Sequence, residues 1–285
     1  MSAQASLLPG NRLHLNHGPI DLVISADGEA ADVRRAYQVA AAMFPNILPE
    51  LVAKLAILRA PIGEAKPVIM NPIARRMVDA VWPYRDVFVT PMAAVAGSVA
   101  EHVLEVMVEA APLRRGIVNN GGDIAIHLAE GQTMRAGVVG DLSLPRMDAT
   151  IEIASADAVR GIATSGWRGR SQSLGIADSV TVLAQSAAMA DAAATMIANA
   201  VDVDDPAIER LPAHAVRDDS DLGDLPVTVA VGLLPSQKVA LALENGARRA
   251  TEIQARGLIA AAYLQLQDQV RVVGAIQQPL PSRAA

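Results

Sequence analysis

The sequence predicts two halves of strands and helices around a mixed sheet, part of which has the spacing of an antiparallel meander. Apolar, β-branched segments recur between residues 115 and 164 at the spacing of an antiparallel meander. Segments with helical spacing alternate with further strands on both sides of this meander, which suggests two halves rich in β and α segments. Hydrophobic residues make up 52% of the 285 residues, which is enough for one large core.

The first part of the chain is predicted as a flexible arm over residues 1–11, followed by the start of a single domain over 12–278. Pro45 and Pro49 are expected to bracket a connection between two helices, because proline disrupts a helix interior. Pro72 suits the first turn of another helix. The elements predicted up to residue 110 are strands over 20–25 and 86–89 and helices over 31–43, 51–58, 73–81 and 99–110.

The second part of the chain begins with the meander and ends with a predicted tail over 279–285. Ser186 is expected to cap a helix over 187–200, and Ser236 to cap a helix over 237–255. Residues 203–224 are polar and contain proline, so they are predicted as a loop. The strands predicted here cover residues 115–118, 123–128, 134–139, 149–153, 158–164, 179–184, 227–231, 259–266 and 270–273.

Composition excludes several classes of function. The net charge is −6 without a block of basic residues, and aromatic residues are only 2%, so nucleic-acid binding is not expected. Cysteine is absent, which excludes disulfides, thiolate chemistry and cysteine-ligated zinc. The first residues lack the features of an export signal, and charges interrupt the Ala-rich runs, so we expect a cytoplasmic protein without a membrane span.

Asp191 and Thr195 are the first candidate site residues. They lie four residues apart on the predicted helix over 187–200 and therefore share one face. A carboxylate on an otherwise apolar helix needs a partner, and Mg²⁺ with its preference for oxygen ligands would serve. Alternatively, Asp191 interacts with the helix dipole and Thr195 bonds to a carbonyl one turn earlier. The spacing alone favours this second interpretation.

Two glycine-containing turns are the next candidates. The sequence 119-NNGGD-123 is a hairpin signal, and its glycines would also let backbone N–H groups approach a ligand. The sequence 164-TSG-166 at a strand end either turns the chain or cradles phosphate. Trp167, Arg168 and Arg170 follow it, and they indicate either an anionic or planar ligand or a solvated basic loop.

Taken together, three ordered segments resemble the ApbE-like superfamily, whose founding members are FAD:protein FMN transferases. These segments are 118-VNNGGDI-124, 163-ATSG-166, and 180-VTV-182 followed by 190-ADAAAT-195. The resemblance implies an α+β fold with helices packed on a mixed, mainly antiparallel sheet, in an ApbE-like, T-fold-like architecture. It also implies a Mg²⁺ ion bound by Asp191, Thr195 and a backbone carbonyl, which we match to Val95. It also implies a flavin-nucleotide site formed by Asn120, Gly121, Gly122, Asp123, Thr164, Ser165 and Gly166.

The chain also departs from the family pattern. Ala96 replaces the lysine of an A-K-G segment, and residues 167–178 replace a longer H-x-I-x-D-P-x-T-G segment. The resemblance is therefore to a short cytoplasmic branch of the superfamily.

The expected function follows from the resemblance and its departures. It is Mg²⁺-dependent binding of a flavin or nucleotide, with FMN transfer to a protein acceptor or cleavage of the FAD diphosphate. Asp191 and Thr195 would be catalytic, and Arg168 or Arg170 would hold an anion. One alternative is a flavin- or metabolite-binding protein without transferase activity, and another is a scaffold in which the glycines only turn the chain. The Ala-rich composition makes a homodimer plausible.

Overall fold

The computed structural model describes residues 2–138, 149–169 and 171–276, which form two compact units. The first unit comprises residues up to Gln132 together with Ala158–Ala163 and Leu183–Ala193. The second unit comprises the remaining segments, Thr133–Asp157, Thr164–Val182 and the chain from Ala194 onward. The units are thus interleaved along the sequence rather than successive. The predicted tail over 279–285 lies outside the described residues.

The elements confirm the α+β class with a mainly antiparallel sheet. Two short 3-10 turns, Trp82–Tyr84 and Pro91–Ala94, accompany the longer elements. The helices are α1 (Ala30–Val52), α2 (Leu55–Leu58), α3 (Pro72–Val81), α4 (Val95–Ala110), α5 (Ala187–Ala200), α6 (Ala213–Val216) and α7 (Ser236–Ala255). The strands are β1 (Gln4–Leu8), β2 (Arg12–His17), β3 (Ile20–Asp27), β4 (Arg115–Asn120), β5 (Asp123–Leu128), β6 (Thr133–Val138), β7 (Ala149–Ala154), β8 (Gly161–Ser165), β9 (Ser179–Ala184), β10 (Ile208–Pro212), β11 (Pro226–Val231), β12 (Ala261–Leu266) and β13 (Gln269–Val273).

In the first unit, strands β1 to β5 follow one another in the sheet, and β8 pairs with β5. All these pairs are antiparallel, with Ile24 opposite Val118 in the β3–β4 register. Strand β1 occupies part of the region predicted as a flexible arm, so that prediction is wrong for residues 4–8. Its side chains are mostly exposed and give no alternating apolar pattern; backbone pairing with β2 defines this edge strand.

Helix α1 continues through both prolines, contrary to the predicted connection. Pro45 and Pro49 are exposed and lie four residues apart on the solvent face, where water can hydrogen-bond the carbonyls that lose a partner. Phe44 and Ile47 on the opposite face are buried, and this packing favours a continuous helix. The predicted helix over 51–58 is accordingly the end of α1 followed by the single turn α2.

Helix α4 is the apolar central helix of the first unit. It packs against α1, α3, β4 and β5. Among the described residues, Pro91–Ala110 is the single helical stretch whose length and hydropathy would suit a membrane span. Half of its apolar part is buried within the protein. This burial is that of a core helix. The strand predicted over 86–89 is absent from that described segment, although the carbonyl of Val89 accepts a hydrogen bond from Ile62 N–H at 2.9 Å.

In the second unit, strands β8, β9, β12 and β13 are neighbours in that order, and α7 packs on β12 and β13. Strands β6 and β7 form a separate antiparallel pair. The predicted meander is therefore wrong in its strand order, because β5 pairs with β8 instead of β6. Residues predicted as a loop over 203–224 instead contain β10 and α6; β10 pairs with β11 through a register shift that obscures its pattern. The predicted cap at Ser236 is wrong, because Ser236 is the first residue of α7 and Pro235 occupies the cap position without a side-chain hydrogen bond.

Candidate functional site

The sequence 120-NGGD-123 forms a two-residue hairpin turn between β4 and β5. Gly121 and Gly122 have φ angles of +64° and +116°, a conformation that residues with a side chain rarely adopt. The side-chain oxygen of Asn119 accepts a hydrogen bond from Gly122 N–H at 2.9 Å and stabilises the turn. The hairpin interpretation is therefore confirmed, and the turn places Asn120 directly opposite Asp123.

Asn120 links this hairpin to the start of helix α4. Its side chain is buried, with an amide nitrogen 3.1 Å from the carbonyl oxygen of Ala96. Its amide oxygen accepts a weaker hydrogen bond from Asp21 N–H at 3.4 Å. Because a buried amide with both groups bonded has a defined orientation, Asn120 fixes the position of the Ala96 carbonyl relative to the sheet.

Gly97 brings helices α4 and α5 into backbone contact. A Cβ atom at Gly97 would lie 2.3 Å from the carbonyl oxygen of Ala187 in the first turn of α5. The small residues here therefore accommodate another backbone. Val95, Ala96 and Gly97 form the first turn of α4, whereas the sequence predicted them just ahead of the helix.

Asp191 lies beside this contact and accepts hydrogen bonds from the backbone of α4. Gly97 N–H donates to its Oδ2 atom at 2.9 Å, and Ala96 N–H also interacts with the carboxylate. Burial raises the pKa of Asp191 well above its usual range, and the nearby Asp123 raises it further, while the two N–H groups lower it in part.

Asp191 and Asp123 are close enough for their charges to interact. Carboxylate oxygens of this kind are the groups here that could act as ligands of a divalent cation. Within residues 2–138, 149–169 and 171–276, no group of three or more His, Cys, Asp or Glu side chains is arranged to hold a metal ion. A cation bound by Asp191 would therefore need further oxygens from a hydroxyl, a carbonyl, water or a ligand.

Backbone N–H groups in the first turn of helix α5 are hydrogen-bonded by side chains other than Asp191. Ser186 Oγ accepts a hydrogen bond from Met189 N–H at 3.3 Å, which confirms the predicted N-cap. Glu101 of α4 accepts one from Ala188 N–H at 3.2 Å, and it also pairs with Arg76 at 3.0 Å. Asp191 is the fifth residue of α5, and its carboxylate accepts a hydrogen bond from α4. A residue that caps its own helix would instead accept N–H groups of that helix.

Thr195 and Val95 remain predicted ligands. Thr195 is half-buried and lies one turn beyond Asp191 on α5. Val95 is the first residue of α4, so its carbonyl is positioned to accept the hydrogen bond that begins the helical ladder. Glu101 was missed by the sequence analysis, because an acidic residue within an amphipathic helix gives no signal that distinguishes it from a solvated one.

A second cluster surrounds the turn at residues 164–166. The hydroxyl oxygens of Thr164 and Thr181 lie 2.9 Å apart on strands β8 and β9. Gly166 is buried against the backbone that follows, and a Cβ atom there would lie 2.4 Å from the carbonyl oxygen of Asp178. The glycine is thus required by close chain packing, while Ser165 is half-buried.

Asp178 holds this second cluster together. One of its oxygens accepts hydrogen bonds from Trp167 Nε1 at 3.1 Å and from Arg168 Nε at 2.9 Å. Its other oxygen accepts Gln267 N–H. Arg168 therefore already has an anionic partner, which argues against the predicted role as an anion clamp. Arg170, the other candidate for that role, lies outside the described residues.

Comparisons with known proteins give a family and a fold. A family model described as "AbpE bacteria" matches residues 4–272. Curated relatives named "UPF0280 protein" include one from Methanothrix thermoacetophila, 40% identical over 134 residues that cover 47% of this chain and 54% of the relative. Another, from Methanosarcina acetivorans, is 35% identical over 138 residues that cover 48% of this chain and 52% of the relative.

The chain thus aligns with about half the length of these curated relatives. Among solved structures, the ApbE protein of Thermotoga maritima is similar with a TM-score of 0.51 at 14% identity, over 96% of this chain and 97% of that one. This likeness supports the α+β fold.

Proposed function

This chain belongs to the AbpE bacteria family, and from that premise we propose that it binds a flavin or nucleotide in a Mg²⁺-dependent manner and cleaves its diphosphate. With water as the nucleophile, FAD would give AMP and free FMN. With a hydroxyl of a protein acceptor as the nucleophile, a phosphodiester bond would form between that oxygen and the FMN phosphorus, and AMP would be the leaving group. The observation that carries the proposal is the Asp191 carboxylate, which accepts a hydrogen bond from Gly97 N–H and is close enough to Asp123 for the two charges to interact.

The proposed metal ligands are Asp191, Thr195 and the carbonyl of Val95, with Asp123 close enough to act on the same charge. When bound, Mg²⁺ would neutralise negative charge on the diphosphate of the ligand. The protein's own part is to present Asp191 in one orientation. Ala96 and Gly97 hold the carboxylate through their N–H groups, and Asn120 holds Ala96.

The nucleotide-binding residues remain those implied by the resemblance. Gly121 and Gly122 expose a backbone with positive φ angles and no Cβ contacts within 4 Å, so a ligand could approach it closely. Thr164, Ser165 and Gly166 form the other turn. The described contacts favour an orienting role for this turn, because the Thr164 hydroxyl is hydrogen-bonded to Thr181.

A second candidate function is binding of the same ligand without cleavage. Two observations favour it: Ala96 stands where the superfamily pattern has lysine, and the Arg168 cation is paired with Asp178. A phosphate in transfer would then lack these two cationic partners, which in other phosphoryl-transfer sites stabilise the transition state.

The test mixes the purified protein with FAD, with and without Mg²⁺, and follows flavin fluorescence and AMP release together. We expect Mg²⁺-dependent binding with AMP release, and Asp191→Asn should weaken this binding at least about 100-fold, or about 2.7 kcal/mol. Asp79→Asn is the matched control, since Asp79 is an exposed carboxylate paired with Lys66.

The outcomes separate the two candidate functions. Binding without AMP release would support the non-catalytic protein. If Asp191→Asn and Asp79→Asn bind FAD with the affinity of the wild type at every Mg²⁺ concentration, Asp191 is not a metal ligand and the proposed site is wrong. If the wild type binds neither FAD nor other flavins, the scaffold interpretation gains support.

A further inference from the structure

Trp167 and Arg168 form a stacked pair directly after the turn at 164–166. The guanidinium carbon of Arg168 lies 4.6 Å from the centre of the Trp167 ring, within the range of a cation–π interaction. Only two tryptophans occur in the sequence, in a chain with 2% aromatic residues. An aromatic ring of this size on a loop is therefore notable, since such rings contribute most when they pack in a core or contact a ligand.

One carboxylate holds both members of the stack. Trp167 Nε1 and Arg168 Nε donate to the same oxygen of Asp178, and the other oxygen accepts Gln267 N–H. The Asp178 side chain is only 12% exposed. Because both donors lie in the planes of their own groups, this shared partner sets the orientation of the indole and of the guanidinium at once.

The backbone around the stack is also fixed. Trp167 N–H donates to the carbonyl of Ala177 at 3.0 Å, and Gly169 N–H donates to that of Gly166 at 3.1 Å. Gly166 packs against the Asp178 carbonyl with no room for a side chain. A ligand that contacts this stack would therefore meet a surface that needs little ordering, which lowers the entropic cost of binding.

We propose that the outer face of the Arg168 guanidinium, supported by Trp167, is a stacking site for the planar heteroaromatic ring of the bound flavin or nucleotide. The Arg168 side chain is 62% exposed, while its charge is paired with Asp178. A paired guanidinium keeps its planar, weakly hydrated face, and bases stack on such planes. The inference rests on the proposed function for the identity of the ligand.

A second Arg–Trp pair in the chain provides the control. Arg85 lies over Trp82 at 4.8 Å and donates through Nη1 to the carbonyl oxygen of Trp82 at 3.2 Å. It thus repeats the stacking contact with a backbone partner in place of the carboxylate, and it is not next to a glycine turn. Arg85→Lys makes the same chemical change as Arg168→Lys in a different setting.

The experiment measures the affinity of the wild type, Arg168→Lys and Arg85→Lys for three probes, each with and without Mg²⁺. Riboflavin supplies a flavin ring, AMP supplies an adenine ring with phosphate, and ribose 5-phosphate supplies phosphate without a ring. Lysine keeps the charge and can keep the ion pair with Asp178, but it lacks the plane. We expect Arg168→Lys to weaken binding of riboflavin or AMP about 10-fold, and Arg85→Lys to leave it unchanged. Ribose 5-phosphate binding should be the same in all three proteins.

A second readout uses Trp82→Phe, in which Trp167 is the remaining tryptophan. Quenching of its fluorescence by AMP, excited where adenine does not absorb, would report ring contact directly. The inference is overturned if neither ring probe binds, or if Arg168→Lys binds both as tightly as the wild type. Loss of ring affinity in Arg168→Lys, together with FAD binding that ignores Mg²⁺ and Asp191→Asn, would support this stacking site and reject the proposed metal function.

Discussion

Two buried or nearly buried aspartates, each beside a glycine that touches another backbone, differ in the charge around them. Asp191 sits beside Gly97, accepts backbone N–H groups and is repelled by Asp123. Asp178 sits beside Gly166, and its carboxylate pairs with Arg168 as well as accepting Trp167 Nε1. Asp191 is thus held by uncharged N–H donors beside another carboxylate, whereas Asp178 is paired with the cation of Arg168.

The difference between these two surroundings indicates which of the two aspartates is the better candidate for binding a cation. A carboxylate whose charge is matched by an arginine stabilises a loop, because the pair is complete within the fold. One held by neutral donors, with its pKa raised by burial and by another carboxylate, is a candidate for a bound cation. The four predictions below test this distinction.

The largest effect is expected for Asp191→Asn in metal-free protein, and it should be stabilising at neutral pH. Burial and Asp123 raise the pKa of Asp191 in the folded state above its unfolded value. The folded protein then binds more protons than the unfolded chain, so stability falls as pH rises through that range. Asparagine keeps the volume and an oxygen for Gly97 N–H but removes the charge. Urea unfolding of both proteins across pH measures the difference.

The pH dependence provides the control for that prediction. The advantage of Asp191→Asn should vanish as pH falls to the unfolded pKa of an aspartate, where both states of the wild type are protonated. Mg²⁺ should stabilise the wild type and not the variant, because ligands that bind only the folded state add stability. An advantage that does not change with pH would mean that the charge of Asp191 is already compensated in the fold.

Gly97→Ala should cost about 3 kcal/mol of unfolding free energy, because the new Cβ atom must displace the backbone of α5. The same change at Gly63 is the control, since that glycine has no atom within 4 Å of a Cβ position and no positive φ angle. Denaturant unfolding of the two variants gives the comparison. Equal stabilities would show that α4 and α5 can move apart easily, and that the Asp191 environment is less rigid than we infer.

Asp178→Asn should destabilise the protein by about 2 kcal/mol, the opposite sign to Asp191→Asn at neutral pH. An amide has one accepting oxygen, so either Gln267 N–H or the Trp167 and Arg168 donors would face an NH2 group. Thermal unfolding with Trp fluorescence measures it. A stabilising effect would remove the distinction between the two aspartates.

Asn120→Leu should have the smallest effect, about 1 kcal/mol, through loss of the hydrogen bond to the Ala96 carbonyl. Its specific consequence is faster hydrogen exchange at Gly97 N–H, since the first turn of α4 would be less well held. Asn16→Leu is the control, because the Asn16 amide donates to the Ile20 carbonyl within its own hairpin, away from α4. Equal exchange at Gly97 in both variants would exclude a role for Asn120 in holding this turn.

The sequence predicted most of the fold where local pattern and tertiary packing agree. The hairpin at residues 120–123, the N-cap at Ser186 and the strand Ser179–Ala184 all follow from local chemistry. The full length of helix α1 was not predicted from the sequence. Burial of Phe44 and Ile47 outweighs the effect of the two prolines, because the carbonyls that lose a hydrogen-bond partner there are exposed to water. Strand β1 was not predicted either, because its side chains are mostly exposed and its backbone pairing with β2 produces no alternating apolar pattern.

Of the candidate site, the sequence predicted only the features that depend on residues close together in the chain. The spacing of Asp191 and Thr195 is visible along one helix, but the contact between Asp191 and Gly97 joins residues 94 positions apart. The same limit applies to Asp178 and Gln267, which are 89 positions apart. No periodicity or composition encodes such pairs, so the roles of Ala96, Gly97 and Asp178 required the structure.

The interleaving of the two units has a consequence for synthesis of the chain on the ribosome. The chain passes between units five times, after residues 132, 157, 163, 182 and 193, so the first unit is complete only once residue 193 of 285 has emerged. Until then the face of α4 at Gly97 lacks its cover from α5. An apolar helix exposed for that interval is a binding site for chaperones and a place where aggregation can begin.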